Sequence, residues 1–286
     1  MSLRETSPIY YLTVRLTELI LSAMYFALRS CLAGLSWIIR LEQKKKLVVL
    51  TYHHVSDAQK TSFARQMNQL LAAGQAVFAD SSGNDSTRRR RIAVTFDDGY
   101  QSVLRNAMPV LVERNIPFII FMATKYMGEK PGWMSDKRHP YSEERLISGD
   151  QLRSLREGMV KIGSHTHSHA YLGNADRETL IRELSLSKTT LEGLLSREIN
   201  LLSLPYGSMD RDTLRYSRMA GYRTLFLNVP YPETMDEDVF LIGRTHVSTD
   251  DWAIEFFLKL RGAYDWISIT YGAKKKMKML SPSLCR

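Results

Sequence analysis

Two clusters of polar residues stand where apolar runs stop. Ile92 to Phe96 is a short, partly β-branched run that ends in Asp97, Asp98 and Gly99, and Lys161 to Ser164 ends in His165, Thr166, His167, Ser168 and His169. Adjacent acids leaving an extended backbone point in different directions, so one can bind a metal ion while the other, unligated, takes a proton as a general base. An Asp-Asp-Gly turn at a strand end is by itself common. Three imidazoles in five residues are rarer, and two neutral imidazoles with one carboxylate and open positions for water make a catalytic site for zinc or a similar ion. His165 and His169, four apart, could face one point across a single turn, with His167 directed elsewhere. A third element, Leu204-Pro205-Tyr206-Gly207, is a proline-fixed turn that could present the Tyr206 amide N–H to a developing oxyanion; taken alone it is an ordinary tight turn.

Such groups need a scaffold that ends its strands on one side. After Lys46 the chain alternates short apolar runs with helical stretches, the pattern of parallel strands and crossover helices. Strands are expected at Leu47 to Tyr52, Ile92 to Phe96, Pro117 to Met122 and Lys161 to Ser164, with short ones near Leu201 and Thr224. Helices are expected at Ser62 to Ala73, Gln101 to Arg114, Gly149 to Gly158 and Arg177 to Leu195, and Tyr126 to Glu144 reads as a surface loop. Ser248 and Asp251 resemble a capping box that starts a last helix ending near Leu260. In a barrel of this kind the acids and imidazoles lie at the carboxyl ends of strands, where barrel enzymes build active sites.

Residues 9 to 41 read as a helix of another sort. Arg15, Glu18, Ser22 and Arg29 share one stripe, and Leu16, Ile20, Met24 and Ala27 fall away from it. The longest uncharged runs, 19 to 28 and 30 to 39, are shorter than the ~20 residues a spanning helix needs. The segment is expected to lie on a membrane surface, or to pack the same apolar face on the protein's own core or on a second subunit. Charges inside the apolar stretch also argue against a cleaved signal, so a cytoplasmic protein is expected, peripheral on the inner membrane's cytoplasmic face. The organisation follows: residues 1–46 as the amphipathic segment, 47–270 as the catalytic domain, and 271–286 as a basic tail.

The 286 residues suffice for one barrel plus an appendage and are too few for two large domains. The formal charge of +9 points to an anionic partner, and basic runs at Lys44 to Lys46, Arg88 to Arg91 and Lys274 to Lys278 could be solvated edges or a membrane-facing surface. No nucleic-acid motif accompanies the charge. Two cysteines, Cys31 and Cys285, suggest no disulfide framework.

In order and spacing these elements resemble the polysaccharide deacetylase family, whose catalytic region is also called the NodB homology domain. The resemblance spans roughly Val48 to Leu260 and rests on Thr95-Phe96-Asp97-Asp98-Gly99-Tyr100, Gly163-Ser164-His165-Thr166-His167-Ser168-His169 and Leu204-Pro205-Tyr206-Gly207. Leu50-Thr51-Tyr52-His53-His54-Val55 is similar to the branch that acts in exopolysaccharide or lipid-linked glycan assembly. The resemblance implies a distorted, incomplete (β/α)7-type barrel and a divalent ion, Zn2+ first and Co2+, Ni2+, Mn2+ or Fe2+ as substitutes, held by Asp98, His165 and His169. It makes Asp97 the general base and Tyr206 N–H the oxyanion donor. The implied substrate is an amino sugar of a polysaccharide or a polyprenyl-linked glycan, from which an N-acetyl or similar acyl group is removed.

Two departures from the family pattern matter. Ser203 stands where many members carry an arginine, so Arg244 is the candidate to orient Asp97, against the alternative of a surface arginine. The family's late general-acid histidine is not recognisable in Trp266 to Arg286, which leaves His53, at the end of the first strand, as first substitute and His246 as second. Tyr100, Trp133 and Pro205 are candidates for contact with the sugar. The same chemistry would serve a deformylase or ester deacetylase, and a glycan-binding assembly subunit lacking the acid is the non-enzymatic alternative.

Overall fold

The computed structural model describes residues 8–38, 47–81, 90–136, 138–155, 158–230, 234–236 and 239–268. Helix α1 (Pro8–Ile38) comes first, followed by β1 (Leu47–Tyr52), α2 (Lys60–Ala73), β2 (Gln75–Ala76) and β3 (Arg91–Phe96). A π turn at Val103–Ala107 runs into α3 (Met108–Glu113), then β4 (Phe118–Met122), α4 (Gly149–Arg153), β5 (Val160–Ser164) and α5 (Arg177–Leu195). The rest comprises β6 (Leu201–Ser203), α6 (Arg211–Met219), β7 (Thr224–Leu227), β8 (Thr234–Asp236), β9 (Val239–Gly243), β10 (Thr245–His246) and α7 (Ala253–Leu260).

The strands lie in the order β10-β1-β3-β4-β5-β6-β7-β9-β8, with β2 beside β3, and only the β8–β9 pairing is antiparallel. A single residue, Arg244, separates β9 from β10, yet β9 pairs with β7 and β10 pairs with β1. One extended segment thus joins both edges of the sheet and wraps it into a nearly closed, distorted barrel of the (β/α)7 type. Strands buried on both faces must be apolar throughout, and alternation divides their side chains between two cores. Val48, Leu50, Val94, Ile120 and Ile162 pack outward against the helices. Val49, Ala93, Ile119, Phe121, Phe226 and Ile242 fill the interior. A Cβ at Gly163 would lie 2.5 Å from the Phe121 ring and 3.0 Å from the Leu201 carbonyl oxygen, so the large interior phenylalanine requires glycine on the next strand.

Three local expectations are corrected. The helix expected to reach Gly158 stops at Arg153, one turn after Ser148 caps it through the Gln151 N–H. Helix α7 starts at Ala253, where the Glu255 carboxylate accepts the Trp252 N–H at 2.7 Å. The Asp251 carboxylate accepts from both the Ser248 N–H (3.2 Å) and Lys259 (2.6 Å), so Ser248 to Asp251 close the turn before the helix rather than its first turn. Helix α1 forms as expected, and of its two expected orientations the one with the apolar face packed on the barrel is overturned. Its polar stripe, flanked by Leu19 and Phe26 packed on Leu258, Ala263 and Tyr264, is what meets the barrel: Arg15 binds the Glu255 carboxylate and donates to the Asp250 carbonyl (2.7 Å), Ser22 accepts from Trp266 (2.9 Å), and Arg29 donates to the Arg261 carbonyl (2.8 Å). Leu16, Ile20 and Met24 are exposed, which overturns burial of that face in the protein's own core. The basic runs at 44–46, 88–89 and 274–278, Cys285 and the tail from 271 lie outside the described residues.

Candidate active site

Alternation along the strands aims Asp97 and His165 into the barrel, in line with inward Thr95 and Gly163. Asp98 then leaves the strand with φ +69°, which turns its carboxylate away from Asp97 and toward the histidine loop. Thr166, His169 and Tyr206 also have positive φ (64°, 60° and 59°). Left-handed backbone at non-glycine residues costs of order 1–3 kcal/mol each and persists where surroundings over-determine it, characteristically at functional sites.

The Asp98 Oδ1 atom lies 3.4 Å from His165 Nε2 and 3.2 Å from His169 Nε2, and all three side chains are buried. His165 Nδ1 is 2.9 Å from the Ser203 carbonyl oxygen, which can only accept, so Nδ1 carries the proton and a neutral ring turns its Nε2 lone pair toward Asp98. Asp98 Oδ1 and His169 Nδ1 have no hydrogen-bond partner within the protein. The donor atoms of Asp98, His165 and His169 all lie within 4.8 Å of one another. A buried carboxylate oxygen facing two imidazole nitrogens fits a divalent cation, in the His/His/carboxylate set that suits zinc and its neighbours.

Asp97 sits in an opposite environment. The Arg244 guanidinium donates one bond to each of its oxygens, both at 2.7 Å, and neither side chain has any solvent exposure. Burial alone would raise the Asp97 pKa; the Arg244 charge outweighs it and holds the carboxyl down at about 2. The guanidinium also donates to Thr95 Oγ1 (3.2 Å), Ser203 Oγ (2.8 Å), the Leu227 carbonyl (3.3 Å) and Asn228 Oδ1. Arg244 is therefore no surface residue, and Ser203, found in place of the arginine common in the family, accepts one of its bonds. Thr95 and Asn228 were given no role from sequence, and Ser203 was noted only as a departure from the family pattern. All three are polar residues at inward positions of an otherwise apolar barrel, which is the signal that could have found them.

The remaining candidates divide. Trp133 stacks on His169 with ring centroids 4.4 Å apart and planes 16° apart, and the Tyr206 ring meets the same imidazole edge-on at 4.9 Å. Pro205 is buried in the turn that carries Tyr206. His53 is half-buried at the end of β1, close enough to Asp97, Asp98 and His169 to act on their charge, with its ring 5.6 Å from exposed His246. Tyr100 is corrected: it is fully buried with Ala123 and Leu146 and offers no face to a sugar. Sequence reading also passed over His54, whose Nε2 lies 2.7 Å from Glu144 and whose ring stacks on Tyr141 at 4.1 Å, tying the loop that carries Trp133 to the end of β1. His167, at 3.0 Å from Thr124 Oγ1, points away from the site.

Residues 84–225 match the protein-family model described as Polysaccharide deacetylase. A Bacillus subtilis protein named "Putative polysaccharide deacetylase YxkH" is 25% identical over 224 residues, which cover 74% of this chain and 75% of that protein. The Staphylococcus aureus poly-beta-1,6-N-acetyl-D-glucosamine N-deacetylase is 26% identical over 180 residues, 60% of this chain and 58% of that protein. Among solved structures, IcaB from Ammonifex degensii aligns with a TM-score of 0.64 at 25% identity, over 76% of this chain and 98% of that one. With this match and this barrel, the chain belongs to the polysaccharide deacetylase family.

Proposed function

We propose that the chain is a metal-dependent hydrolase that removes N-acetyl groups from an amino sugar of a polysaccharide or lipid-linked glycan. The observation that carries this reading is the division of two neighbouring acids, Asp98 facing two imidazole nitrogens and Asp97 clamped by Arg244 at the same end of the barrel. A relative named for acting on poly-N-acetyl-D-glucosamine supports a glycan substrate. Asp98, His165 and His169 would hold the ion, whose Lewis acidity lowers the pKa of a water from ~15.7 to about 7 and polarises the acyl carbonyl.

The other steps belong to the chain. Arg244 keeps Asp97 ionised and fixed, so that its carboxylate accepts the proton of the water whose oxygen attacks the carbonyl carbon. The Tyr206 N–H, presented by the left-handed turn after Pro205, stabilises the oxyanion, an interaction commonly worth roughly 3 kcal/mol. As the carbon–nitrogen bond breaks, His53 gives a proton to the departing amine, and Trp133 offers the sugar an apolar face beside His169. The products are the free amino sugar and acetate.

The test is acetate and formate release from N-acetylated oligosaccharides by zinc-loaded protein, zinc-free protein and Asp97→Asn. Acetate release from the loaded wild type alone supports the reading. Formate in place of acetate moves the activity to a deformylase, and metal binding with no release of either from any substrate makes the chain a glycan-binding subunit.

A further inference from the structure

Helix α1 is attached by its polar side. Tyr10–Leu32 is long and apolar enough to cross a membrane and contains three charged residues, Arg15, Glu18 and Arg29. Both arginines are held by the barrel, at Glu255 and Asp265, and Glu18 lies half-buried on the same stripe, near Lys259. Leu12, Leu16, Ile20, Met24, Leu28 and Leu32, one every four residues, are each 40–65% exposed and form an uncharged ridge on the outside. The usual arrangement of a surface helix on a folded domain is inverted. A contiguous apolar face of this length marks an interaction surface.

We infer that this ridge lies in the surface of a lipid bilayer, with the axis of α1 in the membrane plane and the barrel fastened above it. By length α1 could span, since the 23 residues of Tyr10–Leu32 at 1.5 Å each cover roughly 35 Å against a hydrocarbon core of ~30 Å. The contacts from Arg15 to Arg29, however, hold the barrel along about 21 Å of that length, and a spanning α1 would carry those ion pairs and the barrel wall into hydrocarbon. Lying flat keeps every one of them and buries only uncharged side chains, as interfacial amphipathic helices do. The sequence before the span supplies Arg4 and Glu5, whose charges cancel, and the sequence after it supplies Arg40, Glu42, Lys44, Lys45 and Lys46, four cations against one anion, which suits anionic headgroups. Two copies meeting on this ridge in parallel would bring that cationic flank against itself.

The docking has a direction. Arg15 is tied to Asp250, in the loop that follows β10 at the catalytic end of the barrel, whereas Arg29 meets Arg261 near Arg90 at the opposite end. The barrel axis therefore runs along the membrane, and the mouth of the site opens beside the bilayer surface, within reach of a glycan lying on it. The placement of α1 stands independently of the deacetylase reading.

The test is flotation of the full chain with vesicles of phosphatidylcholine alone or mixed with phosphatidylglycerol. Wild type should float with the mixed vesicles, and the exposed-site double variant Ile20→Glu/Met24→Glu should float at least ten-fold less while unfolding at the same temperature. Depth is read from nitroxides at Cys31 and, in a Cys31→Ser background, at Leu16→Cys, with Cys285→Ser throughout. Both labels lie on the apolar side fifteen residues apart, so equal depths support the flat helix and depths ~22 Å apart mean a spanning one. Wild type that floats with neither vesicle, or a double variant that floats as wild type does, overturns the inference. So does a solution dimer that the glutamates convert to monomer without changing flotation, which would assign the ridge to a second copy.

Discussion

Arg244→Met should destabilise the protein by an amount set by the charge it leaves behind. Arg244 and Asp97 have no exposure and share two 2.7 Å bonds, so removing the guanidinium strands a buried carboxylate, a change that typically costs 3–5 kcal/mol. That is about a fifth or more of the 5–15 kcal/mol available to a typical domain. The pH dependence gives the sign. In the wild type the Asp97 pKa is depressed from 3.8 to about 2, so the folded state holds this proton less tightly than the unfolded state. At ~1.36 kcal/mol per unit the pair contributes about 2 kcal/mol, present above pH ~4 and lost as pH falls toward 2. Without Arg244, burial is the dominant influence on Asp97 and raises its pKa above the unfolded value. The variant's deficit should then be greatest at neutral pH and shrink as acid protonates the carboxyl. Urea unfolding of zinc-free wild type and Arg244→Met from pH 3 to 7 measures this difference, and subtraction cancels the titration of Asp98 and the histidines. Adding Asp97→Asn to Arg244→Met removes the stranded charge and should restore part of the loss at pH 7. A deficit under 1 kcal/mol at pH 7, or one that does not shrink in acid, refutes the argument.

Three further outcomes follow from the geometry. Asp98→Asn and His165→Ala should each weaken zinc binding, followed by calorimetry, by at least 100-fold, because each removes one of three donors lying within 4.8 Å of one another. Gly163→Ala should lower stability by roughly 1–3 kcal/mol in urea unfolding, since the new methyl would lie 2.5 Å from the fully buried Phe121 ring and 3.0 Å from the Leu201 carbonyl oxygen. Trp133→Ala should raise KM for an N-acetylated oligosaccharide more than it lowers kcat, because the half-buried indole stacks on His169 beside the site and takes no part in the proton transfers.

What the sequence disclosed was local, and what it concealed was long-range. The strand limits of β1 and the helix α5 were legible because apolar runs and alternation are written within a few residues. Asp98, His165 and His169 were legible as a set through the family resemblance, since the residues alone showed acids and imidazoles just past two strand ends and left open which acid is the ligand. Which partners Arg244 would find was not, since Asp97 is 147 residues away in the chain and Asn228 adopts its role only once β9 and β10 close the barrel. The stacking of Trp133 on His169 and the pairing of His54 with Glu144 likewise depend on how a loop folds back. Amphipathicity told that α1 has two faces without telling which would be turned inward. Three charged groups with charged or carbonyl partners waiting on α7 and the turn after it decided that, and the apolar ridge took the remaining side.

Two neighbouring carboxylates acquire different chemistry here because the backbone changes course between them. Asp97 is the last residue to follow the alternation of β3, so its side chain enters the barrel, where it is shielded from bulk solvent and a single arginine settles its charge. Asp98 is the first residue to leave that alternation, at φ +69°, and its carboxylate turns to the imidazoles at the end of β5. Had Asp98 stayed extended, it would have pointed outward into the layer of helices, and the histidines would face one another without an anion. Gly99, at φ +80°, completes the turn, and a Cβ there would lie 2.2 Å from the Met122 sulfur. The left-handed step at Asp98 is thus what gives two identical neighbours different surroundings, an arginine for one and two imidazoles for the other. An exchange of the two positions is not available without rebuilding that turn, because the one facing Arg244 is defined by the strand and the one facing the imidazoles by the left-handed residue after it.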